Sequence, residues 1–471
     1  MSTPEPASFT ALFPRAGGIL APLSSLPGRH GIGDLGPESL RFVDWLASAG
    51  ASWWQMLPVG PIGPGNSPYA SSSAFAGEPL YLSLERLVDD GLLSAADVSG
   101  RRDLKAGNVQ YAEVRRFKEP RFDKAFAAWQ KRGDHGDDFD AFCDRNAGWL
   151  DAWCDAAEDA ERARFLQYAF DRQWRGLKHH AAERGVRLMG DAPIFVGLES
   201  VDVRSSPELF RLDADGRPEV VTGVPPDDMN PGGQMWGHPH YAWDAHREDD
   251  FAWWRARLRR QIDLFDAVRI DHFIGFRNAF EVPADAPDAR DGVWAETPGE
   301  ELLDALRDEL DGLPLVAEDL GSVTEEVYAL RDAYELPGMR VLQWGFGPDA
   351  FHAPHAVPEN AVVYPATHDN DTCVGWWRSL DPATKRRFRA ATGGEGKTVA
   401  ATMRRVACAT PAHTALVQLQ DLLGLGRAAR TNTPGTAQGN WVWRVMRRDL
   451  TAPRARRFRE LLEATDRLPD R

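Results

Sequence analysis

Cysteine is scarce in this chain. Four residues, Cys143, Cys154, Cys373 and Cys408, are spread over 471 positions, and no two stand at the short spacing of a metal knuckle. That pattern argues against a disulfide framework and against a structural zinc site. Long apolar runs are also missing, with none near the roughly 18 residues of a membrane span. The first eight residues have neither the basic start nor the apolar stretch of an export signal, so a reducing, cytoplasmic location is expected. Positive charge is in deficit: 55 Lys and Arg against 70 Asp and Glu leave a net charge of −15. Such a surface repels nucleic-acid phosphates and anionic membranes, and neither is expected as a partner. Tyrosine is sparse at 8, whereas tryptophan reaches 17, a supply of broad apolar faces suited to stacking on flat ligands. The remaining composition, 43% hydrophobic and 27% charged, is that of an ordinary globular protein. It excludes disordered, collagenous and coiled-coil chains.

Eight short apolar runs end in polar or Gly/Pro clusters, at 18–23, 52–57, 186–190, 265–270, 313–317, 339–342, 361–364 and 415–419. Runs of this length read as strands buried on both faces, as in parallel sheets. Helical periodicity separates most of them, at 38–49, 249–264, 300–310, 323–334 and 398–408. Eightfold strand–helix alternation predicts an α/β fold, a (β/α)8 TIM barrel, as one catalytic domain over 1–471. Two connections are too long for simple crossovers and predict insertion subdomains. One, at about 59–184, is rich in charged amphipathic helix. The other, at about 195–247, has the Pro, Gly, Asp and aromatic content of a loop. The stretch after the last run leaves no room for a C-terminal β-sandwich domain.

In such barrels catalytic side chains project from the C-terminal ends of strands. Four of the runs end in carboxylates there: Gly190-Asp191, Arg269-Ile270-Asp271-His272, Ala317-Glu318-Asp319 and Thr367-His368-Asp369-Asn370-Asp371. One acidic residue at a strand end is commonly a helix cap, but four on one rim beside Arg and His call for a chemical reason. Arg269 and Asp271, two apart on a strand, share a face, and a guanidinium beside a carboxylate keeps it charged, as a nucleophile requires. Glu318 follows an apolar run where burial and neighbouring anions raise a carboxyl pKa, as a proton donor requires. Asp369 could stabilise a cationic transition state from a third side. Two carboxylates and a stabiliser equip a protein for glycosidic-bond chemistry. This reasoning leaves the roles of Asp271 and Asp369 exchangeable.

The chain resembles the amylomaltases, or 4-alpha-glucanotransferases (disproportionating enzymes), of glycoside hydrolase family 77. The resemblance rests on many motifs in order along nearly the whole chain: 26–36, 53–58, Ser67-Pro68-Tyr69, 73–75, 190–196, 223–227, Gly233-Gln234-Met235-Trp236-Gly237, 269–272, 317–321, 367–371, 432–436 and 440–444. It implies Asp271 as nucleophile, Glu318 as acid/base and Asp369 as transition-state stabiliser. It also implies sugar contacts from Ser67, Tyr69, Asp191, Gln234, Trp236, Arg269, His272, Asp319, His368 and Asn432. The implied partners are maltooligosaccharides and α-1,4-glucans, with no cofactor and no metal. Three departures from the family pattern stand out. Pro64 stands where relatives often carry an aromatic resembling part of a second glucan site. Asp228-Met229 replaces a common Tyr-Phe, and Arg204 replaces the usual Trp.

The implied reaction is a retaining double displacement, with lids at 195–247 and 432–444 keeping water from the intermediate. An α-amylase-type hydrolase would use the same trio, and an inactive glucan-binding barrel would lack one of the three. Other signals have plainer readings. The stretch 394–398 imitates a phosphate-binding loop but has Ala391 in place of the first glycine. His179-His180 and His238-Pro239-His240 lack the helical i, i+4 spacing of a metal pair. Trp129, Trp149, Trp153 and Trp174 fit a helical core, whereas Trp236, in a Gly-rich loop, fits sugar stacking. The acidic runs 134–140 and 285–291 read as solvated loops.

Overall fold

The computed structural model describes residues 14–99, 104, 107–133, 135–226, 230–310, 312–347 and 350–469. Its strands in chain order are β1 (Ala16–Leu20), β2 (Trp53–Gln55), β3 (Arg187–Pro193), β4 (Val220–Val224), β5 (Gln234–Pro239), β6 (Ala267–Asp271), β7 (Asn278–Pro283), β8 (Val293–Glu296), β9 (Leu315–Ala317), β10 (Gly338–Val341), β11 (Ala361–Tyr364) and β12 (Thr414–Gln418). Eight of them close a parallel barrel in the order β1-β12-β11-β10-β9-β6-β3-β2. Each of the eight apolar runs supplies one barrel strand, and α-helices lie between consecutive ones except β10 and β11, which among the described residues are joined through two short 3-10 turns, Trp344–Phe346 and Pro354–Ala356.

Alternation along each strand divides the core in two. Leu20, Trp53, Met189, Val316, Met339, Val362, Tyr364 and Leu416 fill the barrel interior. Their neighbours Ile19, Trp54, Leu188, Val268, Leu315, Val363 and Val417 face the surrounding helices. Toward the C-terminal ends the interior turns polar: Tyr364 Oη donates to Gln55 Oε1 at 2.9 Å, and above that layer stand Asp191 and Arg269. Gly190 gives the strand room here, since a Cβ on it would lie 2.3 Å from the Phe265 ring.

The helix Pro37–Ser48 starts with Pro at its first position and buries Phe42, Val43, Trp45 and Leu46, packing against the helices Ala160–Glu183 and Ala452–Ala464. Arg467 locks the seam where β1 meets β12. Its side chain is fully buried and donates to the carbonyls of Cys408, Ala16, His413, Thr410 and Ala412 at 2.7–3.0 Å.

The stretch 59–184 is helical, with Tyr111–Gln130, Asp137–Asp155 and Ala160–Glu183. The last of these serves the barrel, since Trp174 Nε1 donates to the Leu264 carbonyl at 2.7 Å and its ring meets Phe265 edge-on. Trp129 and Trp174 are core residues, but Trp149 and Trp153 are only half-buried. Asp137, Asp138 and Asp140, expected in a loop, form the first turn of the Asp137–Asp155 helix, where the dipole favours anions. The stretch 195–247 is also more ordered than its composition suggests. It contributes β4 and β5 to a four-stranded antiparallel sheet, β5-β4-β7-β8. The other two strands come from the segment after β6, on either side of the acidic turn at 285–291. Among the described residues no strand follows β12, and no helix is long and apolar enough to cross a membrane.

Candidate active site

Strand register builds the floor of the site. Asp191 on β3 sits beside Arg269 on β6, and Arg269 Nη1 bonds both Asp191 oxygens at 2.8 and 2.9 Å. Its Nη2 reaches Asp271 Oδ1 at 2.8 Å, so one buried guanidinium ties two strand ends. From the other side Tyr69 Oη donates to Asp191 Oδ2 at 3.0 Å and lies 2.7 Å from His368 Nε2. His368 pairs with Asp369 Oδ2 at 3.2 Å, and Asn432 Nδ2 donates to Asp369 Oδ1 at 2.6 Å. Both Asp369 oxygens are thus engaged, although its side chain is 41% exposed, whereas the ion pair engages Asp271, 30% exposed, through one.

Burial alone would raise the Asp369 carboxyl. His368 and Asn432 outweigh it and hold the group well below the ordinary aspartate range. The same contact raises His368, whose charge burial opposes. Glu318 is shifted the other way. Burial pushes its carboxyl well above the ordinary glutamate range, Asp271 adds to the shift, and Arg269 and the His272 N–H oppose it. That N–H donates to Glu318 Oε2 at 2.7 Å because His272 adopts a left-handed backbone, φ 55°, turning its amide toward the end of β9. A non-glycine residue held there is a sign of a constrained site.

Burial lowers His272 to about 4, leaving a neutral ring whose Nε2 has no partner in the protein. The Trp236 ring stands edge-on to it at 4.8 Å, with its Nε1 3.3 Å from Gln234 Oε1. Ser67, at the start of the loop carrying Tyr69, is half-buried and accepts from the Tyr69 N–H at 3.2 Å.

Asp319, also expected to contact sugar, does not join this cluster. Its side chain is fully buried; it pairs with Arg331 and Arg340 and accepts from the Met339 N–H. Val316 faces the barrel interior, so Glu318 does too and Asp319 points outward. The reading of its side chain as a sugar contact is therefore corrected: it anchors β9 to β10. Gly338 leaves space for this pair, since a Cβ there would lie 2.4 Å from Asp319 Oδ2.

Two contributors were not singled out from sequence. Arg430 donates to the Asp369 carbonyl at 2.6 Å. Trp441, at φ 64°, packs on Tyr69 and His368. Trp441 stands in a quoted motif, but only its contacts reveal the role. The Asp228-Met229 departure lies outside the described residues.

Among the described residues His30, Asp34 and Glu85 form a possible metal-ligand group. Lys118 already supplies the positive charge there, with Nζ 3.2 Å from Asp34 Oδ2 and 2.7 Å from the Leu80 and Leu82 carbonyls. His179 and His180 pair with Glu183 and Asp44. The stretch 394–398 follows a helix rather than a strand.

A parallel barrel with carboxylates gathered at its C-terminal rim defines the class: enzymes built for glycosidic-bond chemistry. Residues 21–155 and 153–449 match the model of glycoside hydrolase family 77, described as 4-alpha-glucanotransferase, and the chain belongs to that family. The 4-alpha-glucanotransferase of Thermus thermophilus is 38% identical over 97% of this chain and 99% of its own. The chloroplastic/amyloplastic 4-alpha-glucanotransferase of Solanum tuberosum is 38% identical over 96% of this chain and 87% of its own. Among solved structures, an amylomaltase from Streptococcus agalactiae in complex with acarbose superposes with a TM-score of 0.91. It is 32% identical, over 97% of this chain and all of that one.

Proposed function

We propose that the protein transfers a segment of an α-1,4-glucan to the 4-hydroxyl of an acceptor glucose or glucan, through a covalent glycosyl-enzyme intermediate. The acarbose complex of the similar amylomaltase supports maltooligosaccharides as substrates. The observation that carries the mechanism is the contrast between the three carboxyls. Glu318 is raised by burial and holds a proton to give. Asp369 has both oxygens bonded and is held charged, which suits a stabiliser. Asp271 is fixed by Arg269 through one oxygen, leaving the other to attack, and this favours Asp271 over Asp369 as nucleophile.

In the first step an Asp271 oxygen bonds the anomeric carbon as the glycosidic bond breaks, and the leaving oxygen takes the Glu318 proton. Asp369 stabilises the positive charge that develops on the sugar ring. In the second step Glu318 removes the proton of the acceptor 4-hydroxyl, whose oxygen displaces Asp271 from the anomeric carbon. Two inversions retain configuration. Tyr69, Asp191 and His368 position the charged groups, while the unpartnered His272 Nε2 and the half-buried Trp236 are available to the sugar.

The test is incubation of the purified protein with maltotriose, following glucose release and oligosaccharide length together. The expected outcome is glucose plus a ladder of longer maltodextrins, reduced about 10²- to 10⁴-fold in Glu318→Gln. Accumulation of only shorter sugars with rising reducing ends would replace transfer by hydrolysis.

A further inference from the structure

A cavity of about 240 Å³ lies away from the barrel rim, among the helices Asp137–Asp155, Val201–Ser205 and Ala252–Leu264. Trp149 and Trp253 line it, with Arg260 in its wall and Arg145 and Asp263 among its exposed residues. The Asp137–Asp155 helix buries Phe142, Asn146, Leu150 and Cys154, so Trp149 stands beside the buried stripe and stays half exposed at the cavity. It is held rather than free: Nε1 donates to Asn146 Oδ1 at 2.9 Å, Phe75 stacks on the ring at 6.3 Å, and the Arg260 guanidinium lies 5.3 Å from it. Arg260 is 4% exposed and bonds Asp171 and the Phe75 carbonyl, yet its Nη2 has no hydrogen-bond partner. A buried guanidinium N–H without an acceptor asks for one.

Charge narrows the ligand class. Arg260 is matched by Asp171 and Arg259 by Glu309, Arg145 stands opposite in sign to Asp263, and Asp202, also in the lining, accepts from the Ala74 N–H. The near balance disfavours an anion and suits a neutral ligand with hydroxyls for the N–H groups and an apolar face for the indole. The volume lies just below the ~300 Å³ of ordinary small-molecule sites, enough for a sugar ring or two. Phe75 and Ser73 also line a smaller void that reaches Tyr69 and Asp191, so one loop connects this cavity to the floor of the active site.

We propose that the cavity is a second α-glucan-binding site, with Trp149 as the stacking platform and Arg260 Nη2 as a hydroxyl donor. It is distinct from the Pro64 loop and rests on the glucan-transfer reading of the barrel rim. Holding one stretch of a long glucan here raises the effective concentration of the rest at the catalytic carboxylates, an advantage that maltotriose, too short to span both, does not share.

The experiment compares wild type, Trp149→Ala and Trp149→Phe on maltotriose and on glycogen. The expected result is an approximately tenfold rise in KM for glycogen in Trp149→Ala, partly restored in Trp149→Phe, with kcat and KM for maltotriose unchanged. Equal losses on both substrates would make Trp149 structural only, and unchanged glycogen kinetics would empty the cavity of this role; either overturns the proposal. Absence of any maltotriose ladder from the wild type would instead overturn the reading of the active site. Direct binding of glycogen to Glu318→Gln, with and without Trp149→Ala, would still test the cavity.

Discussion

At the scale of single residues, the site works by keeping like groups unlike. Glu318 and Asp369 face one cleft, yet burial raises the first while His368 and Asn432 hold down the second. The raised Glu318 has a consequence for folding. Its carboxyl binds a proton more tightly in the native state than in the unfolded chain, so νU − νN is negative and stability falls as pH rises between its unfolded and folded values. Below the unfolded value near 4.5 the penalty is absent. Glu318→Gln should therefore flatten this fall, melting higher than wild type at neutral to alkaline pH while losing activity. Melting curves from pH 4 to 9 check it, and parallel curves for the two proteins would contradict the burial argument. As the proposed proton donor, the same group is expected to set the alkaline limb of kcat/KM, because the first step consumes its proton. Asp191 acts one bond further out. Asp191→Asn leaves Arg269 buried with half its counter-charge, and kcat on maltotriose should fall about 10²-fold, the scale of a misplaced catalytic group. Unchanged kcat would show that Asp271 alone orients the guanidinium. Much of this was legible in the sequence, since the i, i+2 spacing of Arg269 and Asp271 and the apolar run before Glu318 are local facts. Asp319 was misread although the same alternation, carried one residue past Glu318, turns it outward. The grip of Arg430 on Asp369, across a separation of 61 residues, has no local signature at all.

At the scale of elements, the barrel depends on how its ends are tied. β1 and β12 meet across almost the full chain, and Arg467 bonds five carbonyls around that seam. Burial lowers its guanidinium to about 10, and its side chain makes no ion pair with a carboxylate among the described residues. Lysine has three donors for those five acceptors and no planar fork. Arg15 also serves the Thr410 and Ala412 carbonyls and the Ala16 N–H that of His413, so Arg467→Lys should destabilise by about 1–3 kcal/mol, the cost of one buried carbonyl left unmet. Chemical denaturation measures it, and a loss below ~1 kcal/mol would mean that water replaces the guanidinium. The barrel strands could be found in the sequence because both faces of each are buried, which makes apolar runs that need no knowledge of their neighbours. The sheet β5-β4-β7-β8 could not. Its outer strand β8 is largely exposed, with Val293 at 61% and Trp294 at 41%, and the other outer strand, β5, is mostly half-buried, so neither carries an apolar run, and the two halves of the sheet are separated in sequence by β6.

At the scale of the whole molecule, the proposed transfer requires that an acceptor sugar rather than water meet the intermediate. The chain following β12 bears on this directly. Asn432 is tied to Asp369, the proposed stabiliser, and the Trp441 N–H closes back on the Thr431 carbonyl at 2.7 Å. The residues between form a loop pinched at its base by Asn440, which bonds Thr433 and Thr436, and residues 434–439 are exposed. Gly435 and Gly439 take left-handed φ of 78° and 83°, conformations that let so short a loop reverse. Its tip approaches the loop bearing Pro64, for a Cβ on Gly65 would stand 3.5 Å from the Ala437 carbonyl. These two loops come from opposite ends of the chain, and one carries Tyr69 while the other holds Asp369. On the proposed transfer reading, they would close the cleft over bound sugar and order the acceptor. Replacing residues 434–439 by two glycines keeps Asn432, Trp441 and the bond of Asn440 to Thr433, and removes the roof together with the Thr436 contact of Asn440. The expected outcome is a tenfold rise in the ratio of hydrolysis to transfer on maltotriose, equivalent to about 1.4 kcal/mol in the partition of the intermediate. Rates of glucose release by the first step should stay within about twofold. Counting reducing ends against oligosaccharide length measures the ratio. If it stays constant while total turnover falls, the loop binds the donor rather than excluding water, and the barrier to water must then be sought in the β4–β5 hairpin that carries Gln234 and Trp236.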